Sequence, residues 1–274
     1  MSRTLAALEQ RLGEKLFEPG KRPLQPTELC LAIAQEGRKI QEAGLSASKL
    51  IAGRKSGFVG AARVMGTPIF MDGVVSSILA SFQSEFPDIH IAQSYGYAGE
   101  VVEQLGKGNL DMGIVPIRKT EVPEGIEASE ILPGRNVIAC RVGHPLARKS
   151  SVKLSDITEY PWIAPPPDSP LYHDLRTVLD GIGVNDFKVS FTGGSLASVT
   201  NILSGSDALT VLPYSVVFTL RRQNTLAALS IRIGDPDRHL CILSRKADHR
   251  SQVHSRLIRF VKNEFATMRD VIRR

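Results

Sequence analysis

Two short segments of this 274-residue chain place hydroxyl groups beside backbone amides that should be free. Thr67-Pro68-Ile69 stands between an apolar strand-like run and a helical pattern, and Thr192-Gly193-Gly194-Ser195 precedes another helical pattern. The first turn of a helix leaves N–H groups without intrahelical partners and carries the positive end of the dipole, so it makes a ready site for an anion. Thr67 and Ser195 would each add a hydroxyl, and the paired glycines allow close approach to the backbone. Both hydroxyls could equally serve as simple helix caps. Two further segments belong with these: Pro116-Ile117-Arg118, directly after an apolar strand, and Pro166-Pro167-Asp168-Ser169, ahead of a helix. The chemistry implied is capture of a small acidic molecule. No GxSxG, Walker A or GxGxxG motif occurs, the six His do not cluster, and His249 and His254 lack ligand spacing. No catalytic residue, cofactor or metal site is therefore expected. Asp111 invites an acid–base reading, but its place at a helix-to-strand turn favours a structural role.

The elements that must position these segments alternate. AARVMG reads as a strand and TPIF as a turn, and Met71, Val74, Val75, Ile78, Leu79, Phe82 and Phe86 mark one helix face. IHIAQS is a strand, Gly99 to about Gly108 a short helix, and DMGIV a strand with the unbroken apolar character of buried parallel strands. The alternation repeats in NVIACRV, WIAPPP, a helix from Leu171, FKVSFT, a helix from Ser195 to Ser204, ALTVL, a helix from Tyr214 and the strand HLCILS. A long amphipathic helix, Gln252 to Ile272, closes the chain. Two βα modules and a returning C-terminal segment predict two α/β lobes, with the chain crossing between them twice and ligands held in the cleft at the strand ends.

Residues before 60 follow another pattern. Leu5, Leu8 and Leu12 share one face of a helix that starts at Ser2 and ends at Gly13, and EKLFEPGKRPLQP suits a hairpin with a cationic tip. Thr27 can cap a helix running to about Ala52, on which Leu29, Ile33, Ile40, Ala43, Ala47 and Leu50 form a narrow seam suited to pairing with another helix. GRKSGFVGA makes a linker. Residues 1–55 hold ten Lys/Arg against six Glu, so most of the net charge of +6 sits there, either to contact phosphate or as a solvated basic face. The chain is 42% hydrophobic, without a membrane-length apolar run or a signal-peptide core, and a cytoplasmic location without membrane partners is expected. Cys30, Cys140 and Cys241 are widely spaced, and the last two lie in apolar runs as buried thiols do.

With this organisation in view, SRTLAALEQRLGEKLFEPGKRPLQPTE resembles the later half of the winged helix-turn-helix of LysR-type transcriptional regulators. Ser2-Arg3, Leu8-Glu9, Leu12-Gly13, Leu16-Phe17-Glu18 and Thr27 carry the likeness. It continues through Phe86-Pro87, Leu110-Asp111-Met112-Gly113-Ile114, Gly143-His144-Pro145-Leu146 and Val211-Leu212-Pro213. Pro26 and Cys30 depart from the family's leucine and glycine at the wing exit. The resemblance implies two Rossmann-like lobes of the periplasmic-binding-protein type II kind, behind a partial winged helix-turn-helix and a long linker helix. It divides the chain into 1–26 (head remnant), 27–57 (linker and dimerisation helix), 58–134 plus 235–274 (lobe I) and 135–234 (lobe II). The effector, an organic acid by family habit, would meet Thr67, Pro68, Ile69, Pro116, Ile117, Ser169, Gly194, Ser195 and Pro213. Ser2, Arg3 and Thr4 would face bases, and Lys21 and Arg22 phosphates or the minor groove. The seam Leu29, Ile33, Ile40, Ala47 and Leu50 would build a homodimer or homotetramer. The family places two more helices ahead of Ser2, and a recognition helix lacking them should fray. DNA binding is thus expected of a longer parent more than of this chain. The alternatives are a fragment that senses ligand and oligomerises without binding DNA, a solute-binding protein of the same fold, and an enzyme built on it.

Overall fold

The structure, a computed structural model, describes residues 3–21, 23–55, 60–167, 170–181, 183, 187–193, 195–221, 225–233, 237–246 and 251–273. The chain forms two compact units, 1–57 and 58–274. In the first, α1 (Arg3–Leu12) and α2 (Glu28–Lys55) flank the expected hairpin, in which Phe17 and Pro26 form an antiparallel bridge. Glu9 ties the corner. Its buried carboxylate accepts from the Leu16 N–H at 2.9 Å and from Lys15 Nζ at 3.0 Å, and these partners, the Leu16 amide foremost, hold it below the usual carboxylate range. Thr27 caps α2 through Oγ1, which accepts from the Cys30 N–H at 3.2 Å. Along the seam of α2, Leu29 and Ile33 are half-buried and Ile40 is 74% exposed.

The second unit begins with β1 (Gly60–Gly66), α3 (Pro68–Phe70), a π-turn (Met71–Val75) and α4 (Ser76–Glu85). TPIF is therefore not the turn expected from sequence. Thr67 takes the N-cap position and Pro68 the first helical position, where proline's fixed φ and missing N–H are tolerated. There follow β2 (Ile89–Tyr95), α5 (Ala98–Gly106), β3 (Met112–Arg118) and β4 (Ile126–Leu132). The first lobe is a five-stranded sheet ordered β2-β1-β3-β10-β4, with β10 (Arg238–Arg245) returning late in the chain. β1 runs parallel to β2 and β3, as the βαβ crossovers require, whereas β10 is antiparallel to β3 and β4. α9 (Gln252–Arg273) packs across it through Leu257, Val261 and Phe265.

The second lobe holds β5 (Asn136–Arg141), β6 (Trp162–Ala164), α6 (Pro170–Gly181), β7 (Val189–Thr192), α7 (Leu196–Ser204), β8 (Thr210–Pro213), α8 (Tyr214–Arg221) and β9 (Leu226–Ile233). β5 is antiparallel to β8 and β9, β6 is parallel to β7, and a Trp162–Leu209 bridge links the two groups. β4 and β9 were not foreseen. Each lies at a sheet edge, where one unpaired side lets charged or weakly patterned residues in, such as Glu127 and Glu130 on β4.

One apolar core joins the two lobes. Val64, Met71, Val74 and Ile114 of the first lobe cluster with Ile163, Leu196, Val199, Leu212 and Val216 of the second. The closest approach is at Gly73, where an added Cβ would stand 2.9 Å from Val216 Cγ1 and 3.2 Å from Leu196 Cδ2. A separate cluster around Trp162, Leu175 and Leu209 fills the second lobe, and a third lies beneath α5.

A candidate ligand crevice between the lobes

β1 ends at Gly66, where a Cβ would collide with the Ile114 carbonyl oxygen at 2.5 Å and with Met71 Sδ at 2.7 Å. Only a glycine lets the chain turn this tightly from β1 into α3. The turn sets Thr67 at φ −62°, ψ 126°, with its N–H on the Ile114 carbonyl at 3.2 Å. Its carbonyl accepts the N–H groups of Phe70 and Met71, but its hydroxyl caps nothing. Thr67 is 2% exposed and its Oγ1 is buried without a hydrogen-bond partner. An unmet hydroxyl of this kind is costly in a folded interior.

Thr67 lines a narrow crevice of about 400 Å³, part of it open to solvent. Pro68, Ile69 and Tyr97 continue the wall on the first lobe, facing Ile163, Pro165, Pro166 and Gly193 on the second. No charged side chain lines it among the described residues. Leu171 separates it from a second cavity of about 440 Å³, lined by Pro116, Pro213, Ser215, Arg135 and Arg238 at the two chain crossings.

The expected ligand residues divide accordingly. Thr67, Pro68 and Ile69 meet in the crevice, and Pro116 and Pro213 in the second cavity. Ile117 does not belong with them: β3 runs on through Arg118, so Ile117 faces opposite to Pro116 and packs, 2% exposed, with Val101 and Leu105 beneath α5. Ser195 is the cap of α7, with Oγ accepting from the Ser198 N–H at 3.2 Å and meeting Ser198 Oγ at 2.7 Å. Ser169 and Gly194 lie outside the described residues, as do Ser2, Arg22 and the side chains of Arg3, Ala47 and Leu50. Thr4 and Lys21 are exposed. Sequence reasoning missed Tyr97 and Arg135. Tyr97 follows β2 as Thr67 follows β1, and the strand-end argument applied to β2 would have found it.

The titratable groups outside these cavities are structural. Asp111, at the opposite end of the sheet, accepts from Arg63 Nε at 2.8 Å and Arg63 Nη2 at 2.5 Å, with His254 Nε2 at 3.4 Å. Burial opposes its ionisation, but Arg63 and His254 prevail and hold its carboxyl below the usual range. His144 is fully buried, and burial lowers its pKa. Its Nδ1 accepts from the Leu146 N–H at 3.1 Å while Nε2 lies 3.2 Å from the Asp207 carbonyl, an arrangement that fits the neutral ring protonated at Nε2. Burial raises the thiols of Cys140 to about 12 and Cys241 to about 11. Among the described residues no cluster of metal-ligating side chains occurs, and no helix is long and apolar enough to cross a membrane.

Residues 55–266 match the model of the LysR substrate binding domain. The chain belongs to the LysR family. Over 225 residues it is 24% identical to the uncharacterised HTH-type transcriptional regulator YnfL of Escherichia coli K12, covering 78% of this chain and 72% of that protein. The fold is that of full-length CbnR in complex with its target DNA, with a TM-score of 0.59 at 18% identity over 96% of this chain and 88% of that one. It is also that of the CcmR regulatory domain of Synechocystis PCC6803 solved with 2-PG, with a TM-score of 0.60 at 18% identity over 75% and 97% of the two chains. This LysR protein is thus a transcriptional regulator carrying an effector-binding domain, and its relatives are regulators rather than enzymes. In the first unit, α1 and the hairpin fit the later part of a winged helix-turn-helix.

Proposed function

We propose that the crevice beside Thr67 is the effector site, and that the effector is a small organic acid with an apolar body. The observation that carries this reading is the buried Thr67 hydroxyl, left without a partner in a wall between two lobes. A carboxylate oxygen would accept from it beside the first free amides of α3, while Ile69, Tyr97 and Pro165 would cover the hydrocarbon part. The CcmR regulatory domain, of the same fold, has been solved with 2-PG, which agrees with a small guest in this architecture. Calorimetric titration of the purified chain with a panel of organic acids, repeated on Thr67→Val, tests the reading. Binding that the substitution weakens supports it; binding indifferent to it places the guest elsewhere.

The division into 1–26, 27–57, 58–134 with 235–274, and 135–234 is part of the same proposal. α2 would pair with a second copy along Leu29, Ile33, Ile40, Ala47 and Leu50, and the exposure of Ile40 supports this. Arg3 and Thr4 of α1 and Lys21 and Arg22 of the hairpin would then reach DNA in the cytoplasm. Sedimentation with Ile40→Glu checks the pairing. A gel-shift titration checks the DNA contact, and an oligomer that binds acids but never DNA would restrict the chain to sensing.

A further inference from the structure

The second cavity lies where the chain passes between the lobes in both directions. Leu132 to Asn136 form the outward crossing, and Arg238 and Leu240 open β10 after the return. Arg135 belongs to the outward crossing. Its guanidinium carbon stands 3.8 Å from the centroid of the Tyr214 ring, and among the described residues the group makes no hydrogen bond or ion pair. Its Nε is wholly buried. Stacking on Tyr214 fixes the guanidinium plane and leaves the in-plane donors unspent, the geometry that takes a planar two-oxygen anion. Ser215, the second residue of α8, is 7% exposed, and its hydroxyl likewise has no hydrogen bond among the described residues. Arg238 brings a second positive charge to the wall, and no carboxylate lines it. The remaining surface is apolar, made by Phe70, Pro116, Leu171 and Leu240.

We infer that this hinge cavity is a second ligand site, for a short-chain organic carboxylate, with Arg135 and Ser215 taking the carboxylate and the apolar wall its hydrocarbon tail. A strongly hydrated inorganic anion would have to shed water against Phe70 and Leu240, which disfavours it. An anion held by Arg135 and facing Arg238 ties the outward crossing to the return, so occupancy bears on how the lobes are set. The inference does not depend on the Thr67 crevice holding the effector, because Leu171 is the sole residue common to the two linings among the described residues.

The test uses the full chain and isovalerate, with isovaleramide as the uncharged match in shape. Isovalerate should raise the melting temperature saturably and isovaleramide should not. Arg135→Met should weaken isovalerate about tenfold or more, the loss expected when a charge-assisted hydrogen bond goes. Arg135→Lys should restore part of the binding, and Thr67→Val should leave it unchanged. Absence of a saturable shift, equal binding of the amide, or an Arg135→Met variant that binds as well as the parent would each overturn the site. If Arg135→Met does not fold, nuclear Overhauser contacts of methyl-labelled isovalerate on the parent chain decide. Contacts to Phe70 and Leu240 support the site, and contacts to Pro68 and Tyr97 instead overturn it.

Discussion

Replacing Thr67 by valine removes one hydroxyl and preserves the β-branched shape. At an ordinary N-cap the loss of the side-chain oxygen costs about 1 kcal/mol, because that oxygen holds a backbone amide. Thr67 Oγ1 holds none and is buried. An unsatisfied buried polar group carries a penalty of about 1–3 kcal/mol, so its removal should leave stability unchanged or raise it by about 1 kcal/mol. For a unit spanning residues 58–274 that is an upward shift in melting temperature of roughly 2–4 °C. Affinity should move the opposite way. A hydroxyl donating to a carboxylate contributes about 1.5 kcal/mol or more, so binding of the acid found by titration should weaken at least about tenfold. Scanning calorimetry and isothermal titration on the same preparations read both quantities. A variant less stable by 1 kcal/mol or more would show that the hydroxyl supports the fold. Unchanged affinity would refute the reasoning about the crevice.

The pH dependence should carry the mark of His144. Its folded pKa lies below the ordinary 6.5, so as pH falls through that value the unfolded chain takes up the proton first. Stability should be full above about pH 6.5 and decline toward the lower folded pKa, and His144→Gln, though less stable throughout, should flatten this slope in urea titrations. Asp111→Asn strips the buried partner from Arg63 and should cost about 3 kcal/mol by denaturant unfolding, with no direct effect on ligand affinity because the group lies at the far end of the sheet. A thiol reagent at neutral pH should spare Cys140 and Cys241 until the chain unfolds, since both are buried with raised pKa values; rapid native labelling of either, read by peptide mass, would contradict their burial.

Much of this architecture was legible because its signals are periodic. The seam of α2, the face of α4 and the alternation of strand with helix all follow from where apolar residues recur. The errors have a common physical source in features that one strand or one turn does not contain. β4 and β9 are defined by a neighbour on a single side. β3 extends past DMGIV through Pro116 because β1 pairs with it only as far as Ile114, leaving one side of the strand without a partner where the proline's N–H is missing. That extension turned Ile117 from a ligand candidate into core. Helix starts were read correctly at both Thr67 and Ser195, but sequence could not say which hydroxyl would find an amide. Ser195 reaches Ser198, while Thr67, followed by a proline in a tight turn, reaches nothing. Arg135 looked like any solvated loop cation, and its significance comes from the ring of Tyr214, far along the chain.

The residues around Gly73 bear on how such a molecule can be taken apart. By connectivity the span from Asn136 to Ile233 is an insertion, leaving and re-entering its host beside one place, and it looks like a cassette that could be exchanged between regulators. Yet Leu196, Val199 and Val216 complete the packing of Met71 and Val74. A transplanted cassette would bring foreign side chains against a backbone that tolerates no extra methyl at Gly73. Chimeras cut at the crossings should therefore inherit neither parent's stability unless both walls of the seam travel together, and divergence within the family is constrained to change the two halves in step.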